Sequence, residues 1–460
     1  MGKIVNLWKG HDLGLHGTPE RKIGEASNAK TFAIKPTDIH GIAPIPKVVI
    51  EIGAKVKAGD QIFFDKGNPD IYFCAPMSGN FVELRRGAKR SVKELVFNAD
   101  AEISYKEFTK ANPKDLDREA VVKQMKEGGV WPFIIQRPYG VLADANAAPK
   151  AIFISGFDTA PGAADVNFIL EGKEAAFQAG IDALGKLTEG AVNLTLADNE
   201  KFYPAEWLKN VSGANINWVS GKCKHPAGNV GVHIHHFDAI NKDEVVWTVR
   251  PDQVAMIGTL FIEGKYDASR LVAVGGPEVE APQYFKSFLG ASISEMIEAA
   301  GLRKEHVRYV SGHLLNGDTI TKDNFLGMHD NTLSVIEEGD KFEFFGWQLP
   351  ATPRPSLSRT FLSTWFKMFN VDFEYDVTTN THGEERAFVV TGQYEPLVPM
   401  DLLPNHLIKS IMYKDLEEME GLGIYEVLEE DLALCEFACT SKIPVTRVLR
   451  EGIDLMIKEG

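Results

Sequence analysis

The chain has 460 residues, 49 Lys+Arg against 64 Asp+Glu, a formal net charge of −15, and 44% hydrophobic and 25% charged residues. That balance excludes wholesale disorder, and its acidity argues against general binding of nucleic acid or anionic lipid, both of which want a basic footprint. No run of about 18 uninterrupted apolar residues occurs, which excludes a membrane-spanning helix, and MGKIVNLWKGHDLG lacks the apolar stretch of a signal peptide, which predicts a cytoplasmic chain.

Residues 1–30 are Gly-rich and hydrophilic and read as an extended segment with little periodicity. From Thr37 to Phe97, short alternating runs cut by Gly-Asp, Asn-Pro and Ser-Gly predict a small all-β module, taken as residues 31–100. Within it AGDQIFFDKGNPDIYFCAPMSG resembles half of a biotinyl/lipoyl-type barrel-sandwich domain. Counting back from Pro76, the modified lysine of such domains would fall at Asn68, with Lys66 two residues off, so the module is expected to be structural and without an acceptor lysine. Asn112-Pro113, then Leu116, Ala120, Val121 and Met125 at helical spacing, predict a helix over 113–130 ended by Gly128-Gly129. AIFIS (151–155), AVNLTLAD (191–198) and EVVWTV (244–249) are strand candidates, with a helix at 172–187 between the first two. Strands alternating with helices predict a partly parallel, Rossmann-like α/β domain over 101–255. Short strands dominate 256–335, broken by one helix at SISEMIEAAG, and are assigned to a small β-grasp-like, soluble-ligand-binding domain. Residues 336–460 pass through KFEFFGW and PATPRPS to helical segments in DLLPNHLIKSIMYKD, DLEEMEGLG, EEDLALCEFA and TRVLREGIDLMIKEG.

Gly180 to Leu187 approaches a phosphate loop, but Leu187 replaces the magnesium-binding hydroxyl and the run reads as helix interior. No G-x-G-x-x-G occurs, so the Rossmann-like domain carries no dinucleotide fingerprint. Cys74, Cys223, Cys435 and Cys439 are few and scattered, as in a reducing compartment. Cys435 and Cys439 share a helix face, yet two thiols complete neither a zinc nor an iron–sulfur site. In CKHPAGNVGVHIHHFD the alternation predicts an extended strand with His233 and His235 on one side and His236 opposite. The histidines either line a polar pocket or network, face solvent, or, with His225 or Cys223, form a metal set, the last making the chain a free-standing metal-dependent enzyme or metal-binding protein. The basic turn Arg85-Arg86-Gly87-Ala88-Lys89-Arg90 is either a solvated hairpin or a docking spot for an acidic partner.

KGHDLGLHGTP, DKGNPDIYFCAPMSGNFVELRRGAKR, HPAGNVGVHIH, TTNTHGEERAFVVTGQYEPLVPMDLLP and the tail EEDLALCEFAC…LREGIDLMIKEG, in that order along nearly the whole chain, resemble the A-subunit family of the sodium-translocating NADH:quinone reductase. The departure lies after Cys439, where Thr440-Ser441-Lys442-Ile443-Pro444 stands in place of the usual Pro-Gly-Lys. The resemblance implies a fold similar to the NADH-oxidising flavoprotein subunit of complex I, and a peripheral subunit on the cytoplasmic side of a bacterial inner membrane. It implies that NADH, flavins, an iron–sulfur centre and quinone are handled by other subunits of a sodium-exporting respiratory complex. This chain would then bind no cofactor and not be catalytic alone; its partners would be those subunits, above all the membrane-embedded ones. Quinone interaction is associated with the family. Because ligands of open α/β sheets favour the crevice beyond the strand C-termini, the candidate quinone or docking cleft comprises Phe133, Arg137 and Pro138, the turn residues Phe157 and Asp158, and His225, His233 and His235.

Overall fold

The computed structural model describes residues 2–341, 355, 357 and 374–460. KFEFFGW after Lys341, and PATPRPS apart from Pro355, lie outside the described residues.

The β module consists of two small antiparallel sheets. One runs in the order Thr31–Ile34, Val92–Ala99, Gly79–Arg86, Lys55–Val56; the other Lys47–Val48, Gln61–Asp65, Asn68–Cys74. Alternate side chains point to one face of a strand, and Phe32, Phe63, Phe73, Phe81 and Phe97 meet inside. Phe32 stacks on Phe97 at 4.7 Å and Phe63 on Phe73 at 4.4 Å. Lys66 corrects the sequence reading. With Gly67 it forms the tip between Gln61–Asp65 and Asn68–Cys74, because a register irregularity lengthens the returning strand and carries Pro76 further from the turn.

The α/β unit is built on a seven-stranded sheet. Its strands are β1 (Ile4–Leu7), β2 (Ile135–Arg137), β3 (Val141–Leu142), β4 (Ala151–Ser155), β5 (Ala191–Asp198), β6 (Asn215–Gly221) and β7 (Val246–Thr248), in the spatial order β1-β6-β5-β4-β7-β2-β3. From β1 to β7 the pairing is parallel; β2 and β3 are an antiparallel margin. The N-terminal segment therefore contributes a strand where the sequence suggested only extended chain: Ile4–Leu7 pairs with Trp218–Gly221 at the sheet edge. Period-two alternation divides the sheet's faces. Ile152 and Ile154 meet helices α1 (Glu174–Leu184) and α3 (Pro251–Glu263). Ala151 and Phe153 meet α2 (Val230–Asp238) and the C-terminal helices Pro404–Tyr413, α4 (Glu429–Ala438) and α5 (Val445–Glu459).

Two of these helices differ from the sequence reading. The histidine-bearing run is α2, not a strand: Val230, Ile234 and Phe237 follow helical spacing, and the apparent alternation came from Val232 and the histidines between them. Helix α3 occupies a stretch expected to be mostly strand; it is buried on nearly every side, so it lacks the polar stripe by which an amphipathic helix is recognised. It runs across residue 255 and packs on α1 in backbone contact. A Cβ at Gly258 would sit 1.7 Å from the Ala176 carbonyl oxygen, and one at Gly180 2.0 Å from that of Val254.

A six-stranded sheet follows, made of Ser269–Gly275, Gln283–Phe288, Val307–Ser311, Asp318–Ile320 and Thr332–Glu337 with Ile23–Gly24 at its edge. Helix Ser294–Ala300 covers it through Met296, Ile297 and Ala300. Among the described residues no helix is long and apolar enough to cross a membrane.

Candidate functional site

Strand order reverses between β4 and β7, so the connections leaving these two strands diverge and leave a crevice beyond their C-terminal ends. A cavity of about 630 Å³ lies there, reached by Ser155 at the end of β4 and Phe157 beyond it, and by Thr248 at the end of β7 with Val249 and Arg250 beyond it. The first turn of α3, through Asp252 and Gln253, forms one wall. His313 and His329 to Thr332 of the six-stranded unit form another, Glu429, Glu430, Arg447 and Arg450 of the tail a third, and Asp38 and His40 of the β module close it. Phe133, Phe157, Val166 and Ile169 supply an apolar side.

Arg137 is 2% exposed and clasps the start of α4: Nη2 donates to Glu430 at 2.6 Å and Nη1 to Asp431 at 3.2 Å. Asp431 also accepts from the Leu428 N–H at 3.0 Å and from Asn229 Nδ2 at 3.3 Å. One guanidinium thus serves two carboxyls. Burial pushes the Glu430 carboxyl up, Arg137 opposing and the Asp431 charge reinforcing. Asp38 accepts the Met328 N–H at 2.8 Å; burial raises its carboxyl to about 7, against Lys35 and that N–H and with Asp330 and Asp318. Gln253 Nε2 lies 2.8 Å from His329 Nδ1, and burial lowers His329 to about 4.

Of the predicted site residues, Phe133, Arg137, Phe157 and Asp158 line this one cavity. Pro138, joined to Arg137 by a cis peptide bond, does not line it. His225 and His233 stand behind the wall. His225 Nδ1 lies 3.2 Å from Thr159 Oγ1 and its ring 6.0 Å from that of His313; burial, then the His313 charge, lowers it to about 3. His233 Nε2 donates to the Ala227 carbonyl at 2.8 Å, its ring 5.4 Å from Phe157, and burial lowers it to about 4. His235 is elsewhere, with Nδ1 2.6 Å from Glu426 and Nε2 accepting the Asp401 N–H at 3.0 Å. Residues two apart on a helix point roughly 200° apart, so helix formation separates His233 from His235. Among the described residues no group of three metal-capable side chains comes together. The four cysteines are buried, which pushes Cys74 up to about 12, Cys223 up to about 11 and Cys435 upward, holding them as unreactive thiols.

Sequence reasoning missed Asp38, His40, the α3 turn, His313, His329 and the charged residues of the tail. Arg250-Pro251-Asp252 carried a usable signal, since it directly follows a strand and opens a helix; the others reach the cavity from distant parts of the chain.

A parallel α/β core whose switch-point crevice is walled by a barrel-sandwich module, a second sheet and a helical tail defines a multidomain α/β class. Three family models match the chain: the NqrA N-terminal barrel-sandwich hybrid domain over residues 5–100, the NqrA second alpha/beta domain over 116–266, and the NQRA C-terminal domain over 271–322. The A-subunit of the Na(+)-translocating NADH-quinone reductase from Rhodopirellula baltica is 34% identical over 99% of both chains. The protein of the same name from Vibrio parahaemolyticus is 33% identical over 99% of this chain and 100% of its own. The chain belongs to the NqrA family, the A-subunits of the Na(+)-translocating NADH-quinone reductases. A solved air-oxidised NAD+-reducing nickel–iron hydrogenase covers 74% of this chain and 61% of its own at 12% identity and a TM-score of 0.37, too loose a likeness to bear on mechanism.

Proposed function

We propose that this chain is the peripheral, cytoplasmic-side component of a membrane complex that couples NADH oxidation and quinone reduction to sodium export. It binds no cofactor of its own, positions its membrane-embedded partners, and offers its switch-point cavity to a quinone head group. The observation that carries this reading is kinship over 99% of the chain with proteins named as that component. Support for the cofactor-free role comes from the missing G-x-G-x-x-G and from Cys74, Cys223 and Cys435, held as thiols by burial. Support for the quinone comes from a volume within the range of small-molecule pockets, roughly 300–1,000 Å³, and from a lining that combines Phe133, Phe157, Val166 and Ile169 with the polar Asp158, Arg250 and His313. In this division residues 31–100 are a structural barrel whose tip lysine, Lys66, stays unmodified, the Rossmann-like domain runs on through α3, and the next sheet is the β-grasp-like domain. The alternative of a metal-dependent enzyme on His225, His233 and His235 loses its basis, because each histidine is tied to a different partner. The test is to substitute Phe157→Leu in the cavity and His235→Ala outside it, measuring quinone affinity and recovery of the intact complex. Phe157→Leu is expected to weaken quinone binding and His235→Ala to leave it unchanged; if Phe157→Leu alters neither quantity in a folded chain, the cavity is not a quinone site.

A further inference from the structure

The hairpin Gly79–Arg86/Val92–Ala99 ends in a turn of unusual composition and shape. Lys89 and Arg90 are successive non-glycine residues in the left-handed region, at φ 53° and 64°, a conformation side-chain-bearing residues rarely adopt. Hydrogen bonds fix it: Gly87 N–H to the Ser91 carbonyl at 2.8 Å, Ser91 N–H to the Ala88 carbonyl at 3.1 Å, and Arg86 Nη1 to the Arg90 carbonyl at 3.0 Å. Arg85, grouped with this turn on sequence grounds, does a different job. It pairs with Glu83 and Glu94, each at 2.9 Å, and lies 5.9 Å from the Phe325 ring, joining the hairpin to the six-stranded unit. Arg86, Lys89, Arg90 and Lys93 remain, exposed and with no ion-pair partner among the described residues.

At this basic tip the Val92 N–H donates to the Pro44 carbonyl at 3.0 Å, which holds the chain at Pro44 against the tip end of the hairpin. Ile45, next in sequence, is 40% exposed. An exposed apolar side chain next to a cationic edge is in keeping with a protein interface, whose apolar centre carries an arginine-rich rim.

We infer that this hairpin tip, with Ile45 beside it, forms a docking surface for a carboxylate-bearing face of another protein of the chain's own complex. The inference rests on the family assignment and is independent of the quinone reading. Charge selects an acidic partner, since unpaired guanidinium and ammonium groups stand out on a chain of net charge −15. The chain's overall charge selects a protein over a bilayer, because an anionic bilayer would repel the rest of this acidic chain, whereas a local carboxylate cluster on a protein faces the basic tip alone.

The assembled complex is the material for the test. Lys89→Glu/Arg90→Glu should lower recovery of the chain with its complex about tenfold at low salt, and added salt should weaken the wild-type association while narrowing the gap to the variant, since screening removes attraction in the one and repulsion in the other. Lys89→Arg/Arg90→Lys should retain recovery, and Lys123→Glu, on an exposed helix face elsewhere, should have no effect. An unchanged melting profile would show the charge-reversed chain still folds. Full recovery of the charge-reversed complex overturns the proposal. So does cosedimentation of the chain with phosphatidylglycerol vesicles that charge reversal abolishes while the complex stays intact, because the tip would then face lipid.

Discussion

Replacing Arg137 by Met should loosen the C-terminal helices from the α/β core. The guanidinium is buried and bridges Glu430 and Asp431 at the first turn of α4. Removing one partner of a buried ion pair costs about 3–5 kcal/mol, because the other charge stays behind without compensation. The lower end applies here. The Glu430 carboxyl is already pushed upward and can take up a proton once the guanidinium is gone, and fully buried Asp431 keeps the Leu428 and Asn229 donors. A loss of about 3 kcal/mol is a factor of roughly 150 in the local opening equilibrium. A chain of several domains does not unfold in one step, so the assay should be local: amide hydrogen exchange of α4 and α5 in wild type and variant. Exchange there should accelerate about a hundredfold while α1 and α3 keep their protection. Arg137→Lys, which keeps the charge but not the fork, should fall between. Wild-type exchange rates in a folded Arg137→Met chain would show that the clasp does not hold the tail.

Asp38 is raised from the ordinary 3.8 to about 7, so the folded chain holds that proton more tightly than the unfolded one and stability falls as pH rises from about 4 to about 7; Asp38→Asn should abolish that part of the loss in denaturant midpoints measured across the window. The buried histidines act with the opposite sign. His225 at about 3 and His233 and His329 at about 4 are neutral when folded, so stability falls as pH drops from 6.5 towards 4, and His329→Gln should flatten part of that slope in the same titration. The isolated chain should be colourless and metal-free and have the mass of its sequence, with no lipoyl or biotinyl adduct on Lys66; absorbance, elemental analysis and intact-mass measurement check this together.

AIFIS and AVNLTLAD coincide with β4 and β5 because central parallel strands, buried on both faces, read as continuous apolar runs. The helical segments around 404–413 and 445–459 were legible for a different reason: each buries one face and leaves the other wet. That contrast is missing in α3, and β1 is too short and exposed to show a pattern. In α2 two periodicities overlap, and only packing against the sheet face decides between them. The crevice itself could be anticipated at Phe133, Arg137, Phe157 and Asp158, since topology follows from the order of strands and helices. Its remaining walls could not, because Asp38, His329 and Glu430 are brought in by docking between units, which leaves no local trace in the sequence.

Strand β1 also has a bearing on how the chain is made. Its partner is β6, and Lys3 N–H reaches the Asn217 side chain across 214 positions of sequence. Asp12 likewise receives the N–H of His225. Contacts so distant must wait for the intervening chain, and closing a loop of that length carries an entropic penalty that local pairs avoid. During synthesis β1 emerges long before its partner and is therefore among the last elements to find its place, after the β module between them has had time to fold. The N-terminal strand seals the sheet edge late, and until then the free margin of β6 is the part of the nascent chain most open to pairing with a neighbour.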